Sequence, residues 1–121
     1  MVPAPTPTAR GDVEDGRPAA PRLLDAGATA ILAFNDMVAV SVLLACRDLG
    51  LRLLADVSVL GVDGLDLAEY VTPPLTTVAH PIRRLGHEAM RAVLDADQDG
   101  PVRRELAPTL VVRGSTGRPS S

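Results

Sequence analysis

From Ala28 to Cys46 the chain is apolar almost without a break, and one polar pair divides it, Asn35-Asp36. Before the pair, Thr29 to Phe34 reads as a strand, and its unbroken apolar character predicts burial on both faces. After it, Met37 to Cys46 predicts a helix that reaches Leu49 and stops at Gly50, with Asn35 or Asp36 as its cap. That helix is apolar nearly all round, which a helix lying on one sheet face would not be. It needs a second cover, and no other segment offers an obvious one, so the pattern points to a partner subunit.

The remaining pattern alternates in the same way. Upstream, a helix is expected from about Gly16-Arg17-Pro18 to Ala26, ended by Gly27, with Pro21 distorting its start. Downstream, Val57 to Val62 is a short apolar strand ended by Asp63-Gly64. Asp66 to Tyr70 gives one or two helical turns closed by Thr72-Pro73-Pro74, and Leu75 to Val78 a brief strand. A helix from Ile82 to about Ala96 carries an apolar stripe of Ile82, Leu85, Ala89, Ala92 and Val93. Asp97 to Pro101 is a turn, and Leu106 to Val112 a last strand or strand pair interrupted by Pro108. Strands alternating with helices imply βαβ units, hence an α/β fold with a mainly parallel sheet in three layers. Residues 1–15 read as a loosely attached segment, 16–114 as the folded domain and 115–121 as a tail.

Composition narrows the function. The 121 residues suit one small domain. With one Phe and one Tyr, the core must be built from Leu, Val, Ile and Ala. Net charge is −3, and the basic pairs Arg83-Arg84 and Arg103-Arg104 sit beside polar or acidic neighbours, so an electrostatic footprint for nucleic acid is missing. The lone Cys46 lies in an apolar run and reads as a buried structural thiol. Residues 26–46 have the length of a membrane span, but Asp36 at the midpoint would cost about 2.5–3.5 kcal/mol. No membrane association, and no signal peptide at MVPAPTPTAR, is expected.

In open α/β sheets, ligands bind beyond the carboxyl ends of the strands. Asn35-Asp36 and Asp63 stand at two such ends. A carboxylate offers two acceptor oxygens, and a carboxamide adds a donor, a set suited to the hydroxyls of a polyol. Each position also has a purely structural reading: Asp36 as helix cap, a role open to Asn35 too, and Asp63 as the first residue of an Asp-Gly turn. The division expected is Asp36 capping and Asn35 facing the cleft with Asp63. His80 and His87 give no metal set, and no nucleophile–base arrangement or phosphate-cradling loop is present. Neither catalysis nor a cofactor is expected.

The ordered segments "TAILAFNDMVAV", "LACRDLGLRLLADVSVLGVDG", "LAEYVTPPLTTVAHPIRRLGHEAM" and "LAPTLVVRGST" resemble the C-terminal third of the LacI/GalR family of bacterial transcription regulators, over about residues 22–116. The resemblance implies part of a periplasmic-binding-protein-like (type I) sensor that binds a small effector, such as a sugar, dimerises, and controls a helix-turn-helix bound to operator DNA in the cytoplasm. Carried over by motif, Asn35 and Asp63 match effector-contacting positions, and Phe34 and Asp36 match positions near the cleft. Met37, Val40, Leu44, Tyr70 and Val71 match the dimer face. Gly64 stands where the family often has a second Asp. The helix from Ile82 would belong to the other subdomain of the sensor, whose sheet this chain lacks, as it lacks the helix-turn-helix. The chain thus reads as a fragment holding one wall of the cleft. A fragment of a sugar-binding protein of an uptake system, or a decayed gene product, are the alternatives. An in-frame helix-turn-helix or a secretion signal upstream separates the first two.

Overall fold

Ile31 and Val59 face each other across two parallel strands, β1 (Ala30–Leu32) and β2 (Ser58–Asp63), and both are buried against one helix, α2 (Asp36–Asp48). The computed structural model describes residues 13–95, 100 and 103–118. Its elements run α1 (Val13–Asp25), β1, α2, β2, α3 (Leu67–Tyr70), β3 (Thr76–Ala79), α4 (Ile82–Leu94) and β4 (Thr109–Val111). The strands form one sheet in the order β1-β2-β3-β4, parallel from β1 to β3, with β4 antiparallel. The alternating strand–helix reading therefore holds, and the mainly parallel α/β sheet is present.

The second cover of α2 comes from within the chain. Helix α1 packs along it, with Ala20 and Gly16 both buried at the contact. A side chain at Gly16 would place its Cβ 2.5 Å from the Val38 carbonyl oxygen, so the two backbones meet where only glycine fits. Arg17 pairs with Asp48 at the far end of α2, and that hydrogen bond holds the Asp48 carboxyl below its usual range. This corrects the expectation that no other segment of the chain offers a cover for α2. The helix also begins at Val13, inside the segment assigned to a loose N-terminus, and Pro18 and Pro21 lie within it rather than at its start. Each proline removes a backbone donor, and packing of the small-residue face on α2 compensates. The rest of residues 1–15 lies outside those described. Cys46 is fully buried, and that burial pushes its thiol pKa up, as suits a structural thiol.

The layering is incomplete. Leu32, expected to be buried, is 71% exposed, because α1 and α2 cover only the face that carries Ile31. Residues on the opposite face, among them Leu32 and Leu110, have no helix over them among the described residues, so the third layer is not built. Helix α4 carries its apolar stripe as expected, yet none of its residues is buried. It ends at Leu94, and the turn expected at 97–101 falls mostly outside the described residues.

Residues 115–117 are not a tail. Ser115 is fully buried: its hydroxyl donates to the Val59 carbonyl at 2.6 Å and accepts from the Thr76 amide at 2.8 Å. The Val59 amide returns a bond to the Ser115 carbonyl at 2.8 Å, and the Gly117 amide donates to the Ser58 hydroxyl at 3.1 Å. The segment thus bridges β2 and β3 beyond the hydrogen-bonding reach of β4. Ser115→Ala leaves a buried amide and a buried carbonyl without their partner and is expected to cost about 1–3 kcal/mol. In urea unfolding the midpoint should fall with the slope unchanged; an unmoved midpoint would show that the bridge is dispensable.

Candidate ligand site

The site is assembled at the carboxyl ends of β1, β2 and β3. Beyond β1 the backbone is fully extended at Asn35 (φ −150°, ψ 177°), which turns its side chain back over the helix start. There Asn35 Oδ1 accepts from the Val38 amide at 2.8 Å. Asn35, not Asp36, is therefore the cap. Asp36, one residue on, points into the protein and is fully buried. Its Oδ1 accepts from the Thr77 hydroxyl at 2.5 Å and its Oδ2 from the Leu65 amide at 2.7 Å. The expected capping role of Asp36 is corrected by this: its carboxylate has no exposed surface, and both its oxygens are taken up by internal donors. The burial is sustained by those two bonds and by the positive end of the α2 dipole. Space for it exists because residue 61 is glycine; a Cβ there would lie 2.3 Å from Asp36 Oδ1.

Asp63 ends β2 with φ at +115°, a left-handed conformation rare for a residue with a side chain and concentrated at functional sites. Its carbonyl accepts from the His80 amide at 3.2 Å, and the next amide, that of Gly64, donates to the Thr77 hydroxyl at 3.3 Å. The half-buried Asp63 lines an open cavity of about 580 Å³, within the roughly 300–1,000 Å³ usual for small-molecule sites. The other polar lining residues are Asp66 from the β2–α3 connection, His80 from the β3–α4 connection, and Arg83 and Arg84 from the first turn of α4.

The four expected ligand residues thus separate. Asp63 lines the cavity, Phe34 is 76% exposed beyond the end of β1, Asn35 is half-buried at the cap, and Asp36 is internal. No local sequence pattern marks Asp66, Arg83 or Arg84 as site residues, and the spacing of His80 from His87 speaks only to a metal, which it does not support. The rule that found Asp63 would have found His80 as well, since it directly follows β3. The expected dimer-face residues Met37, Val40 and Leu44 are half-buried and share one face of α2 at helical spacing. Val71 is half-buried and Tyr70 is 81% exposed. Among the described residues no three His, Cys, Asp or Glu side chains gather as a metal site, and no helix is long and apolar enough to cross a membrane.

Comparison with known proteins places this geometry. The sequence profile of the periplasmic binding protein-like domain matches residues 2–116. The chain belongs to that family. Its relatives within it are LacI-type regulators. The HTH-type transcriptional regulator DegA of Bacillus subtilis is 41% identical over 111 residues, which cover 88% of this chain and 33% of DegA. A LacI family regulator from Enterococcus faecium, solved with bound ribose, superposes with a TM-score of 0.83 at 31% identity, over 93% of this chain and 42% of that one. The dimeric Lac repressor with an 11-residue C-terminal deletion gives 0.82 at 32% identity, over 90% and 42%. This periplasmic-binding-protein-like chain therefore spans about a third of the length of DegA and under half of either solved structure.

The cap assignment is directly testable. Asn35→Ala should cost about 0.5–2 kcal/mol of stability, and Asn35→Ser should recover most of it, because serine also caps well. Thermal melts of the two variants check this, and equal melting of Asn35→Ala and wild type would remove Asn35 from the cap.

Proposed function

We propose that this chain is the effector-binding and dimerisation part of a cytoplasmic LacI-type transcriptional regulator, with no catalytic activity of its own. It supplies one wall of a cleft for a sugar or related polyol. The observation that carries the reading is Asp63, an acceptor held in a left-handed backbone conformation at a strand's carboxyl end on the edge of a cavity. The ribose bound by the Enterococcus faecium relative supports the ligand class. The bare apolar stripe of α4 supports a second wall contributed by sequence that this chain does not span. Operator binding belongs to a helix-turn-helix in such sequence, as the name of the DegA relative suggests. Met37, Val40 and Leu44, with Tyr70 and Val71, form the proposed homodimer face, and the dimeric Lac repressor lends it support.

Two experiments on the full-length protein test the proposal. In calorimetric titrations with ribose, glucose, galactose and lactose, at least one sugar should bind. Asp63→Ala should weaken that sugar about ten- to a hundredfold, by loss of a charge-assisted acceptor. Unchanged affinity would reduce Asp63 to a turn residue. In sedimentation equilibrium, Val40→Glu combined with Leu44→Glu should turn a dimer into a folded monomer. A persisting dimer would place the interface elsewhere.

A further inference from the structure

Asp36 and Thr77 are both fully buried, and neither lines the cavity, yet their side-chain hydrogen bonds reach the two amides that follow Asp63, which does. The Thr77 hydroxyl donates to Asp36 Oδ1 at 2.5 Å and accepts from the Gly64 amide at 3.3 Å, and Asp36 Oδ2 accepts from the Leu65 amide at 2.7 Å. The two peptide N–H groups that follow Asp63 are thus both held by this pair. The Asp63 carbonyl is held on the other side by the His80 amide at 3.2 Å. Between these anchors Asp63 sits at φ +115°, a conformation that persists only where its surroundings over-determine it.

Satisfying two amides does not by itself require a buried carboxylate. Both bonds are only part-buried, and amides in such places are commonly met by water or by neutral oxygens at lower cost than burying an acid. What the pair adds, and water cannot, is a fixed direction. Asp36 belongs to the first turn of α2 and Thr77 to β3, so the loop after Asp63 is referenced to two rigid elements at once. We propose that Asp36 and Thr77 are positioning residues that aim the Asp63 carboxylate into the cavity. The inference rests on the reading of Asp63 as the ligand acceptor. It adds that the acceptor's geometry is set by two residues out of the ligand's reach.

Hydrogen exchange and a double-mutant cycle in the full-length protein test it. Thr77→Val keeps the shape of the side chain and removes the hydroxyl. Exchange in peptides covering Gly64 and Leu65 should quicken by at least about tenfold, the factor expected from losing a hydrogen bond to a charged group, while peptides within α2 stay protected. Thr77→Ser, which restores the hydroxyl, should restore protection. If Thr77→Val does not fold, Asp36→Asn, which keeps the size and one acceptor oxygen, is read in the same way. Exchange unchanged at Gly64 and Leu65, or quickened equally throughout, overturns the proposal. In titrations with ribose, or with whichever of the four sugars binds wild type, Thr77→Val should weaken binding but add nothing in an Asp63→Ala background. Additive losses would mean that Thr77 does not act through Asp63, and the proposal would fall. If the exchange result holds while Asp63→Ala binds normally, the loop is positioned as described and it is the ligand reading of Asp63 that fails.

Discussion

A buried carboxylate organises this fold. Asp36 lies where α2 begins, and its two oxygens tie that helix to β3 through Thr77 and to the β2–α3 connection through Leu65. Removing an acid from water is expensive unless its oxygens are taken up by donors. Three features meet that requirement together: a hydroxyl, an amide, and a helix start with its positive dipole. A fourth, the absent side chain of Gly61, makes the room. The start of α2, strand β3 and the loop after β2 are therefore tied together by one group, and the neighbouring Asn35 caps α2.

What could be read ahead of the structure follows from the range of the interactions involved. Apolar runs located every strand, because strand formation here depends on local character that the sequence displays directly. The sequence confines the cap to Asn35-Asp36 and points to Asp36, whereas Asn35 holds it. Both side chains cap well, and the choice is made by backbone angles at residue 35. Burial of both faces of β1 was expected from composition, but burial depends on what lies above a strand, and nothing described lies above Leu32. The covering role of α1 was hidden behind two prolines. The informative signal was Gly16 and Ala20, small residues one turn apart that allow close helix contact. At the site, Asp63 was readable because a strand end followed by glycine is a local pattern, whereas Asp66 joins it through the turn after Gly64, and Arg83 and Arg84 only through the path by which α4 leaves β3.

The uncovered parts share a physical character. Helix α4 carries Ile82, Leu85, Met90, Val93 and Leu94 exposed, and the open face of the sheet carries Leu32 and Leu110. Soluble proteins rarely leave large contiguous apolar patches bare without a partner for them. In relatives about three times as long as the matched region, sequence beyond it is available to meet such surfaces. These are the surfaces that the second wall and partner proposed above would cover. The chain's own core, built on α1, α2, β1 and β2, is the part that needs least from outside.

The Ser115 bridge has a consequence in time. Its hydroxyl meets the Val59 carbonyl across 56 positions of sequence, and the Thr76 amide across 39. During synthesis β2 and β3 emerge well before the residue that joins them at this point. Until Ser115 arrives, the Val59 carbonyl and Thr76 amide have only water or chance partners, and pairing across such separations is the slow part of folding. The turn at Ser115 is therefore a latch on β2 and β3, two strands made long before it.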